Sequence, residues 1–191
     1  MTNTTDGGRR GLPWRLIGWG AVGLILLLPL VTRAPWTLFD YVVAGVLLGG
    51  AGLVLELVVR AAGRLSYRAG ALLAVAAAFG LIWVNGAVGF LGNEDNPANL
   101  MFFGVIAVAV AGSALSGFKA AGMAWAMFAA AAAQASVGVI ALALKMGSTG
   151  NDGLYEVVLG TSLFGALWLI SGGLFRRAAN PPASWTTRPL S

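Results

Sequence analysis

The chain has 191 residues, of which 58% are hydrophobic and only 10% charged, and its net charge is +5. It has no Cys and no His, which excludes thiol and disulfide chemistry, His-ligated haem or zinc, and a Ser-His-Asp triad. A soluble domain carries about 25% charged residues. Here the apolar residues come in long runs, so the composition predicts an all-α polytopic membrane protein, and the positive charge reads as a topology signal rather than a nucleic-acid footprint.

Residues 1–11 are polar and Gly-rich and are expected to form a disordered cytoplasmic N-terminus. A basic start before an apolar run is also how a signal peptide begins. The run over 12–31 is long enough to span, however, and no small-residue cleavage site follows it, so it reads as the first membrane helix. Trp14, Arg15 and Trp19 mark its inner end, where interface anchors belong. Five further spans are expected over 38–59, 69–91, 97–118, 120–144 and 154–175. Each is near the roughly 20 residues needed to cross the hydrocarbon. Residues 12–177 thus make a six-helix antiparallel transmembrane bundle, with successive helices as neighbours across short connections. The tail 178–191, with Pro181, Pro182 and Pro189, has little to bury and is expected to be disordered and cytoplasmic.

Lys and Arg set the orientation. Arg9, Arg10, Arg15, Arg60, Arg64, Arg68, Lys119, Arg176, Arg177 and Arg188 fall on one side, and only Arg33 and Lys145 on the other. That bias puts both termini in the cytoplasm. The acids lean outward: Asp40, Glu94, Asp95, Asp152 and Glu156 outside, Asp6 and Glu56 inside.

The second, fourth and sixth spans share a spacing: Asp40, Gly45, Arg60; then Asn99, Gly104, Lys119; then Glu156, Gly160, Arg176. In the opposite helices Asn85-Gly-Ala-Val-Gly89 echoes Gln134-Ala-Ser-Val-Gly138. One reading is three copies of a helical hairpin. The other is capping alone, since every helix entering from outside gains from an acid or amide in its first turn and a base in its last. On that reading Thr37 and Asp40 form a capping box, Asn96 caps the helix begun by Pro97, and Asn99 and Glu156 are first-turn capping residues.

Chemistry has its best chance between Gly80 and Asn99. Glu94 and Asp95, among the amides of Asn93, Asn96 and Asn99, are weak candidates for an oxygen-ligated divalent ion; solvated acids between two capped helices are the structural alternative. Asn85 and Gln134 lie deepest in their spans. They are either interhelical hydrogen-bonding groups or, with Trp83, the lining of a shared polar cavity. Glu56 precedes Arg60 by four residues, which favours an intrahelical ion pair near the inner surface. Gly45, Gly49 and Gly52, and the alanines 129–133, are expected at helix contacts, with the third and fifth spans central and 24–28 facing lipid.

The outer segment, Trp83-Val-Asn-Gly-Ala-Val-Gly89 followed by Glu94-Asp-Asn-Pro-Ala-Asn99, resembles uncharacterised small multi-pass inner-membrane proteins of proteobacteria. The likeness extends to Pro35-Trp-Thr37 with Asp40 and to Arg176-Arg-Ala-Ala179. It implies a bacterial inner membrane and assigns no residue a role. Three functions are carried forward. The first is a non-catalytic accessory, scaffold or binding subunit, partnered by the bilayer and by a homo-oligomer or larger membrane complex. The second is a small transporter or channel for a neutral or weakly polar solute. Last comes a carboxylate-based membrane enzyme, and no cofactor is expected.

Overall fold

The computed structural model describes residues 14–61, 64–87, 89–92, 95–148 and 151–180. Among these it contains six α-helices and no strand: α1 (Trp14–Val31), α2 (Leu38–Ala61), α3 (Leu65–Ala87), α4 (Leu100–Leu115), α5 (Ala120–Ala143) and α6 (Asn151–Ala179). A 3-10 turn, Pro97–Asn99, leads into α4. Five stretches are long and apolar enough to cross a membrane; the apolar part of α1, Leu16–Val31, is shorter. The expected N-terminal segment and the tail beyond residue 180 lie outside the described residues, while α6 extends past the expected span of 154–175 at both ends and past 177, where the transmembrane domain was expected to end.

The chain divides within α2 into two compact units, residues 1–54 and 55–191. In the first, the ring of Trp19 lies where a side chain on Gly52 would point, 3.4 Å from the position of a Cβ. Gly45 and Gly49, expected at helix contacts, have open space at the same position. The turn before α2 is closed by a reciprocal capping box. Thr37 N–H donates to Asp40 Oδ2 at 2.7 Å, and Asp40 N–H donates to Thr37 Oγ1 at 3.3 Å.

In the second unit α5 and α6 form the central pair. α6 packs along α5 and along α3, and α4 packs on the other side of α5. Of the two spans expected to be central, α5 is, since it packs on both α6 and α4 and is the most buried span, whereas α3 is not and packs mainly on α6. The contacts are small residues under large ones. Phe175 covers Gly70, Phe164 covers Gly80, Phe128 covers Gly172, and Thr161 sits on Gly138. Membrane helices associate this way because lipid tails are as apolar as Leu, so close packing rather than hydrophobicity decides the contact. Ser171 adds a directed bond, its hydroxyl donating to Gly70 O at 2.7 Å.

The third helix ends earlier than the apolar run suggests. Gly89, at φ +71°, bonds from its N–H to Val84 O at 3.1 Å and turns the chain. Phe90 and Leu91, read as the last residues of a span to 91, instead fold back into the core and are 7% and 0% exposed.

Candidate functional site

At this end of the bundle two amides hold the returning chain. Asn99 Oδ1 accepts from both Phe90 N–H, at 3.0 Å, and Leu91 N–H, at 2.9 Å. Asn96 Nδ2 donates to Leu91 O at 2.8 Å and Met146 O at 3.3 Å, while its Oδ1 accepts from Ala98 N–H at 3.0 Å. Asn96 therefore caps the 3-10 turn. Asn99 occupies the N-cap position of α4 but makes no side-chain cap bond, which corrects its expected role. Its oxygen is taken by two buried donors that no helix or solvent can serve. Glu156 is also displaced from first-turn capping, because α6 starts at Asn151 and places it in the second turn, where it accepts from Ser148 Oγ at 2.8 Å. Asp40, Asn99 and Glu156, equivalent in the spacing of the sequence, thus do three different things. Of the two carboxylates considered for a metal, Glu94 lies outside the described residues and Asp95 is exposed. No group of three or more His, Cys, Asp or Glu gathers among the described residues.

Deeper in the core several side-chain polar atoms are left without protein partners. Gln134 is fully buried, and neither its Oε1 nor its Nε2 has a hydrogen-bond partner. Thr161 Oγ1 and Trp168 Nε1 on α6, and Asn85 Oδ1 on α3, share that condition. Asn85 Nδ2 donates to Leu81 O of its own helix at 2.7 Å, so the interhelical bond expected of these amides is not made by either. Trp83 does not join Asn85. Two helical residues two apart face opposite ways, and Trp83 is 41% exposed where Asn85 is 6%. Trp83 stacks on Phe79 at 5.9 Å instead.

The packing contacts fix the heights of these groups. Gly138 against Thr161 and Phe128 against Gly172 set an antiparallel register that puts Gln134 level with about Gly165, the middle of α6. Gly70 against Phe175 and Gly80 against Phe164 put Asn85 level with about Gly160. The two amides are thus separated along the bundle by roughly 8 Å, at about 1.5 Å per residue, and flank α6 from different helices. Around Gln134, Thr161 lies about one turn of α6 toward one end and Trp168 just under a turn toward the other. Sequence reasoning found Gln134 but passed over Thr161, Trp168 and Ser171. The seven-residue interval of Thr161 and Trp168, which puts both on one side of α6, was the available signal for those two, while Ser171 faces α3.

The chemistry of this set is neutral. It offers an amide oxygen and amide hydrogens from Gln134, a hydroxyl from Thr161 and an indole N–H donor from Trp168. Leaving such groups dry costs about 1–3 kcal/mol each, so the arrangement suits a small uncharged guest that both donates and accepts. Glu56, also buried at 6%, belongs to α2; the side chain of Arg60, its expected partner, lies outside the described set.

The opposite end is tied from the start of α3. Arg64 Nη1 donates to Ala178 O near the end of α6. Arg68 Nη2 donates to Val59 O near the end of α2 at 2.9 Å, and Tyr67 O–H donates to Phe118 O beyond α4 at 2.7 Å. Helix C-termini carry partial negative charge and unpaired carbonyls, which cations and hydroxyls satisfy.

Fold and site define a helical bundle whose apolar helices are compatible with a multi-pass membrane protein. Comparison with protein families, with curated proteins and with solved structures found no match.

Proposed function

We propose that the protein is a non-catalytic, membrane-embedded binding subunit whose core holds a small uncharged polar guest, water or a solute of similar size, at Gln134. The carrying observation is that Gln134 is fully buried, level with the middle of α6, with both amide atoms unpartnered. We place it in a bacterial inner membrane with six crossings and cytoplasmic termini. The support is the sequence resemblance and the concentration of Lys and Arg on one side. Repetition of the hairpins rests on spacing alone. The neutrality of the site favours a guest without charge, because a bare ion in this core would need a counter-charge.

The test is Gln134→Leu. An amide satisfied only by a guest can be replaced by an apolar side chain of similar size at little cost. The substitution is expected to change unfolding free energy in detergent by less than about 1 kcal/mol while removing the guest. A loss well beyond that range would mark Gln134 as structural glue and end the reading. A transport reading of the same site is separated by osmotic glycerol flux into proteoliposomes: binding alone leaves the flux at the level of empty vesicles, whereas a channel gives flux that Gln134→Leu abolishes.

A further inference from the structure

Where α5 begins and α6 ends, a cavity of about 180 Å³ opens between the two helices, lined by Ala121, Ala124, Trp125, Phe128, Arg176 and Asn180. Trp125 is 75% exposed and meets Phe128 edge-on at 6.2 Å, so the cavity has an aromatic wall that continues onto the bundle surface. The Arg176 guanidinium forms no hydrogen bond or ion pair with the described residues. The first intrahelical bond of α5 runs from Met123 N–H to Lys119 O at 2.8 Å, and Lys119 supplies no side-chain cap. The N–H groups of Ala120, Ala121 and Gly122 are therefore without a helical acceptor, at the positive end of the helix dipole.

We propose that this cavity binds the phosphate of an anionic phospholipid. The charge complementarity is direct: the Arg176 side chain and the uncapped first turn of α5, through Ala121, border the same small volume. The size excludes a whole lipid, since 180 Å³ is about six water volumes at roughly 30 Å³ each. It holds a phosphoryl group with part of its glycerol, and the acyl chains leave over the exposed face of Trp125. An aromatic ring beside a basic residue at the end of an apolar helix is where headgroups lie. A free phosphate would satisfy the cations but would leave the aromatic wall unused. This site lies at a different level from Gln134 and stands or falls independently of it.

The experiment is native mass spectrometry of the full chain released from nanodiscs of mixed phosphatidylglycerol and phosphatidylcholine. Wild type should retain phosphatidylglycerol selectively. Arg176→Gln should lower that retention by about ten-fold or more, beyond the roughly five-fold of one diffuse basic residue at a lipid surface, because the guanidinium bonds the phosphate directly. Trp125→Ala should lower it as well. Arg177→Gln removes the same charge one residue away from the cavity lining and should lower retention by no more than the roughly five-fold of diffuse charge. Equal losses in Arg176→Gln and Arg177→Gln would reduce the site to diffuse surface charge, and unchanged retention in Arg176→Gln would remove it. Inorganic phosphate displacing the lipid with the same dependence on Arg176, and with no dependence on Trp125, would make it a soluble-anion site and overturn the lipid assignment.

Discussion

The ring of Phe90 occupies the space that a side chain at Gly160 would need, so that a Cβ there would overlap the ring at Cε1. Phe90 cannot withdraw, being packed against Phe102 at 4.9 Å and Phe164 at 5.5 Å. Gly160→Ala is therefore expected to cost about 2–3 kcal/mol, as overpacking of a close-packed core does. Gly165→Ala, whose Cβ meets nothing within 4 Å, should be neutral or slightly stabilising. Thermal unfolding in detergent reads both. Phe90→Ala in the Gly160→Ala background should recover part of the loss, which a double-mutant cycle measures.

Asn99 gives a second, chemically distinct prediction. Removing its oxygen orphans two buried N–H donors at once, those of Phe90 and Leu91. Asn99→Ala should lose about 2–4 kcal/mol, and hydrogen exchange at the amides of residues 90 and 91 should accelerate with it. Asn99→Asp keeps an acceptor in place and should lose less. Were Asn99 merely a helix cap, the loss would be nearer 1 kcal/mol and exchange at 90 and 91 would not move.

How much of this was legible in the sequence follows from what each residue depends on. The helices themselves were, because long apolar runs and their charged ends are local features; α2 begins at Leu38 and α5 at Ala120 as read. The Thr37–Asp40 box was legible for the same reason. The end of α3 was not. Phe90 and Leu91 look like the continuation of a span, and only the tertiary pull of Asn99 and the pocket over Gly160 explains why the chain turns at Gly89. The central place of α5 was legible from its small residues, but that α6 rather than α3 would share it was not. The glycines of α6 and Thr161 advertise close packing no more loudly than those of α2, and which small residue meets which large one is decided by the non-sequential pairing of α3 with α6. The Asn85–Gln134–Trp83 grouping failed in part on helical geometry that the sequence did contain, since residues 83 and 85 project to opposite faces.

The orientation is testable because the chain has no Cys, so a single introduced thiol is unambiguous. Lys145→Cys should react with a membrane-impermeant maleimide in intact cells, and Lys119→Cys only after permeabilisation. Reversal of that order would invert the topology, and equal reactivity of both would remove the crossing of α5 between them.

Gln134 is the only glutamine in the chain, so labelling glutamine side chains with nitrogen-15 gives a single amide signal. Magnetisation transfer from water to that amide in lipid bilayers measures directly whether the middle of the core holds a polar guest. A strong transfer to the Gln134 amide is expected, fading when the guest is displaced by a tighter-binding small alcohol or amide. A Gln134 amide with no transfer from water and a shift characteristic of a bond to a protein carbonyl would contradict it.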